Sequence, residues 1–127
     1  MAPAPKVQKS PACVLVVEDE ILIRVLTADE LRAEGFSVIE AATADEAMSY
    51  FQAGVQVDLV ISDIQLPGAL SGVDLIRRLR AQVPSLPTVL TSGHSPGAHE
   101  ADAFLPKPYD VRQAVALVAI LLQQGAR

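Results

Sequence analysis

Apolar residues come in short unbroken runs that stop on acids, hydroxyls or glycine, and between those runs they recur at helical spacing. Cys13 to Val17 is one such run, followed at once by Glu18, Asp19 and Glu20. In Val57-Asp58-Leu59-Val60-Ile61-Ser62-Asp63, four of the first five residues are apolar and the run ends on a carboxylate. Runs of this kind mark strands buried on both faces. Pro67 then removes a ladder donor and Gly68 allows a change of direction, so Asp63 is expected at a strand tip. Phe36 to Ala41, Leu86 to Ser92 and Ala103 to Leu105 read as further strands. Ile21 to Glu34 favours helix, with Ile23, Leu26 and Leu31 on one face and Gly35 as its stop. Thr43-Ala44-Asp45-Glu46 reads as a capping box opening a helix to Gln52, with Gly54 beyond it. Ser71-x-x-Asp74 starts another, carrying Leu75, Ile76, Leu79 and Val83 as far as Pro84. Asp110 caps a last helix from Val111 to about Gln123. His94 to Asp102 contains Pro96 and Gly97 and little apolar content, which predicts loop or at most a turn or two of helix.

Alternation of five strands with helices predicts an α/β fold, a doubly wound five-stranded parallel sheet. Right-handed crossovers put the strand C-termini on one edge, where such sheets bind ligands. Glu18, Asp19, Asp63, Ser92 and Lys107 all fall at or just after those tips, so they are expected to converge. Residues 13–127 are expected to form one domain, and the proline-containing stretch 1–12 a disordered lead-in.

Composition narrows the function. Half the residues are apolar and Trp is absent, so the core is expected to be aliphatic. A net charge of −5 and a pI near 4.8 argue against nucleic acid as a direct partner. Arg77, Arg78 and Arg80 cluster, and on a predicted helix they read as a solvated face. Cys13 is the single cysteine and reads as an inert residue at a strand start. No run approaches the length of a membrane span and no signal-peptide core is present, so a soluble cytoplasmic protein is expected.

Three acids in one cleft repel each other, and a cation or protons must offset that repulsion. Oxygen ligands suit Mg²⁺, which keeps waters for an incoming phosphate. With Lys107 nearby, the arrangement suits transfer of a phosphoryl group to an Asp nucleophile, and Asp63 at the centre is the candidate. Taken singly, each residue has a bland role: a helix N-terminal acid for Glu18 or Asp19, a turn residue for Asp63, a strand-end hydroxyl for Ser92, a loop lysine for Lys107. Their joint placement at successive tips is what points to chemistry.

The ordered motifs Val16-Val17-Glu18-Asp19-Glu20, Asp58 to Gly68, Leu90-Thr91-Ser92-Gly93 and Leu105-Pro106-Lys107-Pro108 resemble those of the receiver domain of bacterial two-component response regulators, over Val14 to Gln123. The resemblance implies the flavodoxin-like (βα)5 receiver fold. It implies Mg²⁺ held by Glu18, Asp19, Asp63 and the backbone carbonyl of Gln65, and phosphorylation of Asp63 from a phosphohistidine of a sensor histidine kinase or histidine phosphotransfer protein. It assigns Ser92 as the switch hydroxyl, Lys107 as its phosphoryl-binding partner and Phe104 as the aromatic that turns inward with Ser92, and it implies a cis bond before Pro108. A domain of this kind is no enzyme beyond its own phosphorylation and slow dephosphorylation.

The chain departs from the family pattern in three places. Glu18 stands where Asp is commoner. Ser92 to Lys107 spans only fifteen positions, so the fourth helix is expected to be shortened or missing. The spacer Gly68 to Gly72 is long and, with Ser92-Gly93-His94, resembles receivers attached to or partnered with hybrid sensor kinases. The last helix, 111–123, is apolar nearly all round, which suggests a partner or homodimer surface. The chain ends soon after it, and with Met1 this favours a stand-alone protein over a receiver excised from a longer hybrid kinase, which would look much the same.

Rival readings are weaker. Gly93-His94-Ser95-Pro96-Gly97 matches a serine-hydrolase elbow, but Pro96 has no N–H for an oxyanion hole. An Mg²⁺-dependent phosphatase with an Asp nucleophile usually has an acid two residues on, where Gln65 stands. A nucleotide- or flavin-binding module lacks its glycine-rich loop. A receiver-like interaction module that is never phosphorylated would not need the full residue set. His94 and His99 read as solvated histidines.

Overall fold

The structure is a computed structural model that describes residues 11–97 and 99–125. Most of the expected lead-in, residues 1–12, lies outside the described residues. Five strands, β1 (Cys13–Val17), β2 (Ser37–Ala41), β3 (Leu59–Asp63), β4 (Thr88–Ser92) and β5 (Ala103–Pro106), form one sheet. Its order is β2-β1-β3-β4-β5 and every pairing is parallel. Four helices connect or follow them: α1 (Ile21–Ala33), α2 (Ala44–Gln52), α3 (Gly72–Gln82) and α4 (Val111–Gly125).

Side-chain alternation splits the core in two. Val14, Val16, Leu59 and Ile61 face one side with Leu31 of α1 and Ala114 and Val118 of α4. Leu15, Val17 and Val60 face the other with Ala44 and Ala47 of α2 and Leu75 and Leu79 of α3. All five residues of β3 and of β4 are buried, as the unbroken apolar runs require of strands covered on both faces. Val57 and Asp58, read as the start of the central strand, precede it. Asp58 instead caps β1, its Oδ2 accepting from the Cys13 N–H at 2.7 Å.

Helix boundaries follow local chemistry. Ser71 and Asp74 form the full reciprocal capping box of α3. At α2 only half of the expected box forms: Thr43 Oγ1 accepts from the Glu46 N–H, while Glu46 Oε1 reaches past Thr43 to the Ala42 N–H. Gly35 and Gly54 follow α1 and α2 with φ of 96° and 83°, the left-handed stop that glycine allows.

Helix α1 corrects the expected face. Leu31 is fully buried, but Leu26 is 51% exposed, and Thr27 and Ala28 are buried in its stead. Ile21, Leu22, Val25 and Leu26 form an exposed apolar stripe beginning at the acidic end of the helix. Conversely, the apolar excess of α4 is largely absorbed by the sheet and by α1, leaving Ile120 as its large apolar residue in the open. Among the described residues, no helix is long and apolar enough to cross a membrane.

The connection between β4 and β5 contains no helix among its described residues. The tie that replaces it comes from the arginine cluster, which is therefore more than a solvated face. Arg80 of α3 donates to the Glu100 carbonyl at 2.6 Å and pairs with Asp102 at 3.6 Å; Arg77 pairs with Glu100 at 3.5 Å. Asp102 Oδ2 in turn accepts from the Thr88 N–H at 2.8 Å, joining the starts of β4 and β5.

Gly72, at the first position of α3, carries the site's tightest packing constraint. A Cβ built there would lie 2.0 Å from the carbonyl oxygen of Asp63 and 2.8 Å from its carbon. Backbone cannot yield as a flexible side chain can, so Gly72→Ala is expected to lower unfolding free energy by about 3 kcal/mol, measured by urea denaturation. A variant as stable as the parent would show that α3 shifts freely against β3.

Candidate functional site

The C-terminal edge of the sheet gathers the expected residues. Asp63 ends β3 and is buried, and the chain around it is pinned: the Ile64 N–H extends the ladder to Thr91 O at 2.9 Å, and the Gly72 N–H donates to Ile64 O at 2.8 Å. Buried Ser62 donates to the Asp63 carbonyl at 2.9 Å. The Asp63 carboxylate takes two bonds, one from the Gln65 N–H at 3.2 Å to Oδ1 and one from Lys107 Nζ at 2.8 Å to Oδ2. Gln65 thus meets Asp63 through its N–H.

Glu18 follows β1 and is also buried. Lys107 Nζ bridges it to Asp63, pairing with Glu18 Oε1 on one side and Asp63 Oδ2 on the other. Asp19 is exposed, yet carboxylate oxygens of Glu18, Asp19 and Asp63 all lie within 4.8 Å of one another. Three hard carboxylate oxygens so placed fit a small divalent cation such as Mg²⁺.

Electrostatics follow from burial and the bridge. Burial pushes the Glu18 carboxyl above its ordinary value, against the downward pull of its bond to Lys107. Burial by itself would lower the Lys107 pKa, but hydrogen bonds to Asp63 and Glu18 outweigh it and push the value up to about 12. Lys107 therefore stays charged at physiological pH.

Ser92 ends β4, its Oγ accepting from the His94 N–H at 3.1 Å while its carbonyl accepts from the Lys107 N–H at 2.8 Å. The Lys107–Pro108 peptide is cis. Phe104 is half-buried one strand over, its ring centroid 6.5 Å from that of His99. His99 is tied rather than simply solvated: its Nδ1 accepts from the Ala101 N–H at 3.2 Å.

Sequence reasoning missed three contributors. Gly72 permits the close approach of α3 to Asp63; its only sequence signal is a poor helix former inside a helix start. Tyr109 shares a 2.9 Å hydrogen bond with buried Thr27, tying the Lys107 segment to α1. Arg24 Nη1 donates to the Glu18 carbonyl at 2.9 Å. Beside Lys107 a cavity of about 390 Å³ opens between α1 and the segment after β5, lined by Ile23, Leu26, Tyr109 and Val111 among others.

Replacing Lys107 with Met removes the charge shared by the two buried acids. The folded state already holds the Glu18 proton more tightly than the unfolded chain does, and the loss of Lys107 raises that carboxyl further. Stability linked to it then rises as pH falls. In thermal melts without divalent cation, the Lys107→Met protein is expected to gain stability relative to the parent as pH drops from neutral toward the ordinary glutamate value of 4.5. Parallel pH profiles for the two proteins would contradict this.

Comparison with known proteins agrees with this architecture. The profile of the response regulator receiver domain matches residues 14–119. The sensor kinase CckA of Brucella abortus is 36% identical over 121 residues, covering 89% of this chain and 13% of that protein. The alkaline phosphatase synthesis transcriptional regulatory protein SphR of Synechococcus elongatus is 37% identical over 132 residues, covering 91% of this chain and 51% of that protein. The chain therefore spans at most about half the length of these two relatives. Among solved structures, the receiver domain of the hybrid histidine kinase CckA matches with a TM-score of 0.77 at 35% identity, covering 88% of this chain and all of that one. A CheY-like receiver domain from Methanospirillum hungatei matches with a TM-score of 0.86 at 25% identity, covering 92% and 98%. In motif order, sheet topology and matched length, the chain belongs to the response regulator receiver domain family.

Proposed function

We propose that the chain is a phosphoacceptor of a two-component system, taking a phosphoryl group onto Asp63 from a phosphohistidine of a sensor histidine kinase or histidine phosphotransfer protein. The observation that carries this reading is the buried Asp63 carboxylate, bridged through Lys107 to Glu18 with Asp19 beside them. An Asp63 oxygen attacks phosphorus; the P–O bond forms as the P–N bond breaks, and the departing imidazole nitrogen keeps the electron pair. Glu18, Asp19, Asp63 and the backbone carbonyl of Gln65 would hold Mg²⁺, which when bound neutralises charge on the phosphoryl oxygens. Lys107 supplies a further positive charge at the same oxygens. The Ser92 hydroxyl is the donor for a phosphoryl oxygen, and its movement would free space toward which Phe104 turns. Added charge at Asp63 thus biases a local packing arrangement, the usual form of such a switch.

The partner surface that the fold supports best is on α1. Ile21 and Leu22 are 67% and 70% exposed at the end of α1 that follows Glu18 and Asp19, and the apolar cavity beside Lys107 continues that surface. A donor helix seated there brings its histidine toward Asp63. Homodimerisation through the last helix is the weaker proposal, since Ile120 is its large exposed apolar residue. The likeness to the CckA receiver supports a hybrid-kinase setting.

Incubation with Mg²⁺ and a small phosphodonor is expected to give one acid-stable, base-labile phosphoryl adduct by intact-protein mass spectrometry, lost in Asp63→Asn. No adduct would move the reading to a receiver-like interaction module, and sustained hydrolysis of phosphate esters to an Asp-nucleophile phosphatase. Leu22→Asp is expected to slow transfer from a phosphorylated kinase at least tenfold, corresponding to about 1.4 kcal/mol, while leaving labelling by the small donor intact. Equal slowing of both reactions would remove α1 as the docking surface.

A further inference from the structure

We propose that Arg24 is a positioning residue for the acidic edge, holding the Glu18–Asp19 peptide through the Glu18 carbonyl; this rests on the metal-binding reading above. Asp19 is exposed, and among the described residues no side-chain hydrogen bond or ion pair holds its carboxylate. Its placement within 4.8 Å of Glu18 and Asp63 is therefore set by the backbone that carries it.

That backbone is held at three points, one of them the Glu20 N–H, which donates to Glu18 Oε2 at 3.2 Å. The Glu18 N–H donates to Ala41 O of β2 at 2.9 Å, and Arg24 Nη1 donates to the Glu18 carbonyl at 2.9 Å. The Arg24 bond falls on the carbonyl of the very peptide that joins Glu18 to Asp19, so it sets the rotation of that peptide. The guanidinium is itself oriented. Its Nε pairs with Glu40 Oε1 at 3.3 Å, with the two side chains only 18% and 26% exposed, and Arg32 holds the other Glu40 oxygen at 3.1 Å. A planar fork that meets a carboxylate on one edge and a carbonyl on the other fits guanidinium geometry and not a lysine ammonium. The chain Arg32–Glu40–Arg24–Glu18 carbonyl thus runs from β2 and α1 to the backbone of the site, and among the described residues none of its three side chains bonds to Asp63. Outer partners of this kind orient ligands and tune metal affinity.

The test is Mg²⁺ titration of the unphosphorylated protein by isothermal calorimetry, with phosphorylation by a small donor measured across Mg²⁺ concentrations. Arg24→Ala is expected to weaken Mg²⁺ binding about tenfold. The maximal phosphorylation rate at saturating Mg²⁺ should stay that of the parent, so the half-saturating concentration rises alone. Arg24→Lys should recover part of the affinity, and Arg32→Ala, one step further out, should lose less than Arg24→Ala. Glu40→Gln keeps the fold's packing and is expected to shift Mg²⁺ affinity in the same direction, which keeps the test open where Arg24→Ala fails to fold. Affinity unchanged in the folded variants overturns the positioning role, as does a fall in maximal rate with affinity retained. A parent protein that binds no Mg²⁺ overturns the metal-binding reading itself.

Discussion

Two buried acids and one lysine set the terms for the rest of the molecule. Asp63 ends β3, Glu18 directly follows the neighbouring β1, and both are withdrawn from water, an arrangement that costs several kcal/mol per ion unless a cation compensates it. Lys107 compensates both at once, reaching across from the far side of β4. The parallel register makes this feasible: three strands with tips on one edge bring together residues up to eighty-nine positions apart in the chain. The same bridge leaves the site poised, because the lysine is shared between acids and an incoming anionic group can compete for it.

Helix α1 relates that charge cluster to the outside. Its inner face supplies Leu31 and Ala28 to the core, and its flank supplies Arg24 to the Glu18 carbonyl and Thr27 to the Tyr109 hydroxyl. Its outer face carries the exposed stripe of Ile21, Leu22, Val25 and Leu26. One rigid element therefore touches the acidic loop, the lysine segment and solvent. A protein that binds the stripe binds to the frame of the site rather than to a remote surface.

The β4–β5 connection has no crossover helix among its described residues, and side-chain ties close the fold there. Asp102 joins the starts of β4 and β5, and Arg80 ties that junction to α3. The fixed part of the connection is thus its C-terminal end. The end beside Ser92 has only the Ser92 to His94 contact as a side-chain hydrogen bond among the described residues. Under the proposed phosphoacceptor role, a movement of Ser92 would pass first into this short stretch and toward Phe104 and His99.

The parallel sheet was legible because strands covered on both faces must be continuously apolar, as in Val14 to Val17 and Leu59 to Ile61. The site was legible for a related reason: polar residues that interrupt such runs at their C-terminal ends have one edge to occupy, and Glu18, Asp63, Ser92 and Lys107 occupy it. The shortened β4–β5 segment announced its missing helix through its length, its low apolar content, and Pro96 and Gly97. What local patterning could not reveal was which apolar residues stay exposed. The spacing of Ile23, Leu26 and Leu31 suggested one face, yet α4 covers only part of it, and Leu26 remains in the open. Nor could patterning single out Arg24, Gly72 or Tyr109, whose partners lie on other elements or across a loop. Burial on a covered strand is written in the residues of that strand. A carbonyl held by a guanidinium, or a Cβ that has no room, exists only once separate elements have packed.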